Sequence, residues 1–216
     1  MKSTQVNMID QVLTGFQAMS AWEYVGVFFS LAYLILVMKE SLWCWPAAFI
    51  STLIYTILFW QGALLLESVL SFYYLLMAIY GWWQWNKLNQ TNNSKHGQKS
   101  IVSWSLSKHA IWIASATVTF IVLGYVMNEY THAKMPYLDA FTTVFAVMTT
   151  YMVTQKVLEN WLYWIVIDLA SIFLYVEMNY YPTAILYVLY SGLAWQGFKI
   201  WQNQLPTKQL STKQET

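Results

Sequence analysis

Arginine is absent from this 216-residue chain, cysteine occurs once, and charged residues make up only 10% of it. Soluble domains usually carry about 25% charged residues, so a water-soluble fold of this composition would expose large apolar patches. The lone Cys44 excludes an intrachain disulfide framework and a cysteine metal site. His96, His109 and His132 fall in loops or at span ends and offer no metal constellation. No GxxxxGK run is present, which argues against direct coupling to ATP. A net charge of +1 gives no reason to expect nucleic acid. No cofactor is expected. What remains is apolar: 58% of residues are hydrophobic, 19% are aromatic, and mean hydropathy is +0.41.

These residues fall into segments that each approach the roughly 20 residues needed to cross a bilayer. Residues 1–20 contain no apolar core ending in a cleavage site, so no removable signal peptide is expected. Val6, Ile9, Val12, Leu13, Phe16 and Met19 instead predict a short amphipathic helix at the membrane surface. Spans are expected at about 22–38, 42–60, 64–85, 109–127, 137–154, 159–176 and 181–201, which makes seven. Gln61 and Gly62 form a turn. Residues 87–108 read as a long, solvated, mobile loop, residues 109–128 as a connector helix, and 203–216 as a disordered tail. With the N-terminus outside, Lys39, Lys87, Lys95, Lys99, Lys108, Lys156, Lys199, Lys208 and Lys213 lie on the cytoplasmic side, and only Lys2 and Lys134 do not. The positive-inside rule therefore predicts N-out and C-in.

The stretch Asn160–Tyr175, NWLYWIVIDLASIFLY, carries a carboxylate near its middle. Charge at that depth is expensive and by default faces a protein interior or a wet cavity. Asn160, Trp164, Asp168 and Ser171 lie at helical spacing and share one face. That face reads as one wall of a solute site.

A shift of 116 residues without a gap pairs Trp45 with Trp161, Tyr74 with Tyr190, Ala78 with Ala194, Gly81 with Gly197 and Trp85 with Trp201. Two three-helix units at 21–86 and 137–202 are therefore expected. Three helices reverse direction, so the fourth span is needed to bring the second unit back parallel to the first. The fold class is an all-α integral membrane protein with seven spans in a 3+1+3 parallel repeat of the SWEET type, whose site lies near the midplane between repeats. In the third span Glu67, Ser71, Tyr74, Ala78 and Gly81 form a stripe. The seventh repeats it as Thr183, Tyr187, Tyr190, Ala194 and Gly197. The second-span equivalents of Trp161, Trp164, Asp168 and Ser171 are Trp45, Ala48, Thr52 and Tyr55, so the halves share a scaffold and differ in chemistry.

The segments LWCWPAAFISTLIY, LLLESVLSFYYLLMAIYGWWQW and ENWLYWIVIDLASIFLY, with the combination of GWWQW and NWxxWxxxD, resemble the PnuC family of bacterial nicotinamide riboside transporters from about Trp22 to Trp201. The resemblance implies a homotrimer in the inner membrane with a central substrate site. It also implies facilitated diffusion of the riboside without ATP, made effective by phosphorylation in the cytosol. It carries Trp45, Asn160, Trp161, Trp164 and Asp168 over as site residues. The chemistry agrees with that cargo. Aromatic faces attract a desolvated cation such as a pyridinium by about 2 kcal/mol in good cases, and Asp168 can balance its charge or bind ribose hydroxyls. Thr52, Gln61, Glu67, Tyr74, Tyr187 and Tyr190 complete the candidate lining, and Asn160, Gln61 and Gln84 can donate and accept at once. With no Arg or Lys inside the spans, a phosphorylated nucleotide is poorly served. A retinal photoreceptor would need a lysine mid-span in the seventh helix, whereas Lys199 is near its end. An intramembrane enzyme would want paired carboxylates or a nucleophile–base pair. A carrier of a neutral sugar or another nucleoside is the remaining alternative.

Overall fold

The computed structural model of the chain describes residues 8–61, 65–92, 101–131 and 133–205; within helices the side chains at 8–11, 65–67 and 88–92 are not described. The described residues form eight helices: α1 (Met8–Ala18), α2 (Ala21–Met38), α3 (Cys44–Gln61), α4 (Leu65–Asn92), α5 (Leu106–Tyr130), α6 (Pro136–Thr154), α7 (Asn160–Glu177) and α8 (Tyr181–Asn203). Local sequence sets their starts. Ser20 and Glu23 close a capping box on α2, with the Ser20 hydroxyl accepting from the Glu23 N–H and the Glu23 carboxylate accepting from the Ser20 N–H. Pro136 and Pro182 stand in the first turns of α6 and α8, where a missing N–H costs nothing.

Four of these helices, α2, α3, α5 and α7, are long and apolar enough to cross a membrane by length and composition. The other long helices, α4, α6 and α8, carry more hydroxyl and amide groups, many of which turn inward, as with Ser68, Ser71, Thr142, Thr149 and Thr150. Apolar side chains cover the outside instead. On α5, Ile111, Val118, Val122 and Tyr125 are all more than half exposed.

Helices pack in chain order within two groups, α2–α3–α4 and α6–α7–α8, and the groups meet where α4 touches α6 and α2 touches α8. Among the described residues α5 packs on α6, and α1 on the start of α8, where Pro182 sits against Gly15.

Positions 116 residues apart adopt matching local geometry. Glu40 and Lys156 both take positive φ, 51° and 53°. In each turn the following N–H groups bond back in the same pattern: Glu40 N–H to Val37 and Ser41 N–H to Leu36, then Lys156 N–H to Val153 and Val157 N–H to Met152. The left-handed backbone conformation at these two residues lets the chain bond back to the last carbonyls of α2 and α6. The tryptophans repeat too. Trp45 stands edge-on to Trp85 at 5.2 Å and 88°, and Trp161 edge-on to Trp201 at 5.4 Å and 87°. Gly81 and Gly197 give their rings room, since an added Cβ would meet the Trp45 ring at 2.3 Å and the Trp161 ring at 2.7 Å. The small stripe residues thus seat large rings.

One end of the bundle gathers these turns. The Lys156 ammonium pairs with the Glu40 carboxylate at 2.7 Å and sits over the Trp85 ring at 4.7 Å. Trp201 donates its indole N–H to the Met38 carbonyl at 3.2 Å. Glu40 and Lys156 stand 116 residues apart, the same shift that pairs the tryptophans, and here they face each other.

The segment expected to be a solvated loop is partly structured. α4 continues to Asn92, and residues 101–105 form a strap docked on the α6–α7 turn. Val102 receives the Leu158 N–H at 2.8 Å and gives its own N–H to Lys156 at 3.0 Å, while Ile101 and Trp104 are buried. Apolar residues at the end of a polar stretch explain the docking, which polarity averaged over the whole stretch conceals. Residues 93–100, Gly62 of the expected turn, the tail at 206–216 and the Glu67 side chain lie outside the described residues.

Candidate functional site

A cavity of about 270 Å³ lies between the two helix groups, lined from α2, α3, α4, α6, α7 and α8. Nine of the candidate residues line it: Trp45, Thr52, Tyr74, Asn160, Trp161, Trp164, Asp168, Tyr187 and Tyr190. Gln61 does not. It is the last residue of α3 and is exposed, away from the cavity.

The α7 wall follows from helical spacing. Asn160, Trp164 and Asp168 face the cavity, and Ser171 continues the same stripe as a buried residue that does not line it. Asp168 is 3% exposed, and no hydrogen bond or ion pair to its carboxylate forms among the described residues. A buried carboxylate is normally paired. Here its remaining surface is the cavity, so the group is placed to meet a solute. Asn160, fully buried, donates from Nδ2 to the Val157 carbonyl at 2.6 Å, while its Oδ1 has no donor among the described residues. The indole N–H groups of Trp45 and Trp161 likewise have no acceptor among the described residues.

Aromatic rings make up much of the remaining wall. Tyr187 stands edge-on to Tyr190 at 5.9 Å and stacks on Tyr175 at 5.4 Å. Trp164 is half-buried, and Trp161 is wedged on Gly197 with 1% exposure. The Thr52 hydroxyl donates to the Ala48 carbonyl at 2.8 Å and can only accept toward the cavity. Among the described residues no lysine or histidine lines the space.

Ser30, Tyr33, Ser51, Met77, Thr150 and Val153 also line the cavity and were not anticipated from the sequence. Ser30 carried a usable signal, since it is the one hydroxyl inside the otherwise apolar run VFFSLAYLILV apart from Tyr33. Ser51 was hidden beside Thr52, because neighbouring residues on a helix point about 100° apart.

Residues 20–203 match the nicotinamide mononucleotide transporter family. The chain belongs to that family. It is similar to the riboflavin/roseoflavin transporter RibM of Streptomyces davaonensis, 27% identical over 180 residues that cover 83% of each chain. It is also similar to the nicotinamide riboside transporter PnuC of Escherichia coli, 23% identical over 206 residues and 84% of each chain. A crystal structure of the vitamin B3 transporter PnuC shares its fold, with a TM-score of 0.70 over 92% of this chain and 90% of that one at 18% identity. The chain is thus a multi-pass membrane transporter of the PnuC type, and not an enzyme. The names of its relatives span different solutes, a flavin and a pyridinium riboside.

Proposed function

We propose that this transporter carries nicotinamide riboside across the bacterial inner membrane, by facilitated diffusion followed by phosphorylation in the cytosol. The observation that carries the reading is Asp168: a buried carboxylate without a hydrogen-bond or ion-pair partner among the described residues, in an aromatic cavity that none of their cations lines. Such a site favours a desolvated organic cation held between ring faces and a counter-charge. It disfavours a phosphate, so the riboside suits it better than the mononucleotide named in the family description. The volume, about 270 Å³, lies below the roughly 300–1,000 Å³ of ordinary small-molecule pockets. That favours one pyridine ring and a ribose over the larger tricyclic flavin with its ribityl chain.

The architecture belongs to the same proposal. Seven spans, α2 to α8, form two parallel three-helix repeats at 21–86 and 137–202, with α5 as the inverting connector at 109–128. The matched turns at Glu40 and Lys156 and the matched tryptophan pairs support it. Lys39, Lys108, Lys156 and Lys199 lie at or beside the helix termini that meet at one end of the bundle, whereas Lys134 bonds the Glu177 carbonyl at the other. That distribution supports N-out and C-in. Homotrimer assembly is tested by light scattering of the detergent-purified protein.

Calorimetric titration of purified protein with nicotinamide riboside, its mononucleotide, riboflavin and ribose tests the cargo. Saturable heat with the riboside alone is expected, and Asp168→Asn lowers that affinity at least tenfold. Binding of riboflavin or ribose in preference to the riboside refutes the reading.

A further inference from the structure

The two walls of the cavity carry different chemistry at equivalent positions. Where α7 has Trp164, Ile167 and Asp168, α3 has Ala48, Ser51 and Thr52. Where α6 has Ala146, α2 has Ser30. The acid and the extra indole belong to one half, and a pair of serines belongs to the other.

The hydrogen bonds of that pair have a fixed direction. Ser51 Oγ donates to the Gly26 carbonyl at 3.0 Å and lies 2.6 Å from Ser30 Oγ. A serine hydroxyl has one proton. That of Ser51 is directed at Gly26, so Ser30 is the donor between the two serines. Ser30 is then committed as a donor, and toward the cavity it can only accept. Gly26 makes room for Tyr55, whose ring lies 3.1–3.4 Å from where a Cβ would stand.

We infer that Ser30 is a specificity-determining residue that accepts a hydrogen bond from a sugar hydroxyl of the bound solute. The inference rests on the riboside reading above and fixes the orientation of the ligand. Its cationic ring lies toward Trp164 and Asp168 on α7. Its polyhydroxyl end lies toward Ser30 and Ser51 on α2 and α3. A site built around a hydroxyl rejects the analogue that lacks it more strongly than an apolar wall does, because the waiting polar group is left unpaired. Neither wall alone has both chemistries, so the reversed orientation places the pyridinium away from the carboxylate.

The test uses full-length wild type and Ser30→Ala with nicotinamide riboside and its 2′-, 3′- and 5′-deoxy analogues, read by calorimetry. Ser30→Ala is expected to weaken the riboside about five- to tenfold, and for one deoxy analogue the wild-type to variant ratio falls to about one. A ratio equal for all four ligands marks a purely structural effect and overturns the inference, as does no loss at all. If Ser30→Ala does not fold, Ser30→Cys keeps the size with a weak acceptor and is read the same way. Wild type that binds none of these ribosides refutes the cargo reading, an outcome distinct from a flat ratio.

Discussion

Replacing Gly81 with alanine brings a methyl into the Trp45 ring, whose nearest atoms would lie 2.3–2.4 Å away. That ring cannot retreat easily. It is 2% exposed, held edge-on by Trp85 at 5.2 Å and flanked by Tyr33 at 6.3 Å. Overpacking of this kind costs about 1–3 kcal/mol. The helix gains about 0.8–1 kcal/mol from losing a glycine, so the net loss is about 0–2 kcal/mol, toward the upper end for a ring held this firmly. Gly192 supplies the control. It lies in α8, and nothing stands within 4 Å of its would-be Cβ, so Gly192→Ala keeps the propensity gain without the clash. Gly197→Ala, at 2.7 Å from the Trp161 ring, falls between.

At about 2–4 °C per kcal/mol for a chain of this size, Gly192→Ala melts a few degrees above wild type and Gly81→Ala as much as several degrees below it. Tryptophan-fluorescence melts in detergent give the order directly: Gly192→Ala highest, then wild type, Gly197→Ala and Gly81→Ala. Trp45 also lines the cavity, so Gly81→Ala weakens solute binding while Gly192→Ala leaves it unchanged. Equal melting temperatures for Gly81→Ala and Gly192→Ala refute the account of the glycines as ring seats.

Glu40→Gln leaves a buried ammonium at Lys156 without its partner and is expected to cost about 3 kcal/mol, while the exchange Glu40→Lys with Lys156→Glu restores much of it; thermal melts of the three proteins check both statements. Glu159→Gln weakens the anchoring of the 101–105 strap, because the Glu159 carboxylate accepts from the Ser103 hydroxyl and the Trp104 N–H and lies 3.7 Å from His109. Faster hydrogen exchange at the Val102 N–H, with α3 unaffected, is the expected result. Trp164→Ala removes an aromatic wall from the cavity and lowers riboside affinity about tenfold or more; unchanged binding in calorimetry would place the ring elsewhere than over the solute.

Helical periodicity made the α7 wall legible, since Asn160, Trp164 and Asp168 do share the face turned to the cavity. The 116-residue shift paired the tryptophans with each other and the glycines with each other, but the small residues read as places for close helix packing, and that each glycine seats a tryptophan ring appears only in the structure. What periodicity could not reach was contact between residues distant in sequence. Ser30 reads as one hydroxyl in an apolar run until Ser51 is seen 2.6 Å away. Gln61 misled for the opposite reason. An amide at a helix end is as suited to the interface as to a site, and only burial tells them apart. The strap at 101–105 was lost in its polar neighbours, although Ile101 and Trp104 are the residues that dock it.

The ion pair between Glu40 and Lys156 bears on how a repeat protein becomes asymmetric. In the proposed repeat these two are the same position, and they meet at 2.7 Å, as residues on an axis relating the halves would. A residue on such an axis always confronts its own copy. Two glutamates there would repel, and two lysines would repel equally, so favourable charge at this point requires the copies to differ. The cavity lies between the same halves and obeys the same logic. Two identical walls would present a solute with two equivalent orientations, each half-suited to a molecule with a cationic ring at one end and hydroxyls at the other. Changing Ala48 against Trp164, Thr52 against Asp168 and Ser51 against Ile167 removes that degeneracy while leaving the tryptophan and glycine frame intact. The frame therefore tolerates substitution at these wall positions and resists it at Gly81 and Gly197. Exchanging the wall residues between halves, Thr52→Asp together with Asp168→Thr and Ala48→Trp together with Trp164→Ala, should give a protein that folds and binds the riboside in the reversed orientation. In that protein Ser30→Ala no longer discriminates among the deoxy ribosides. If it still does, the orientation is set by something other than the two walls.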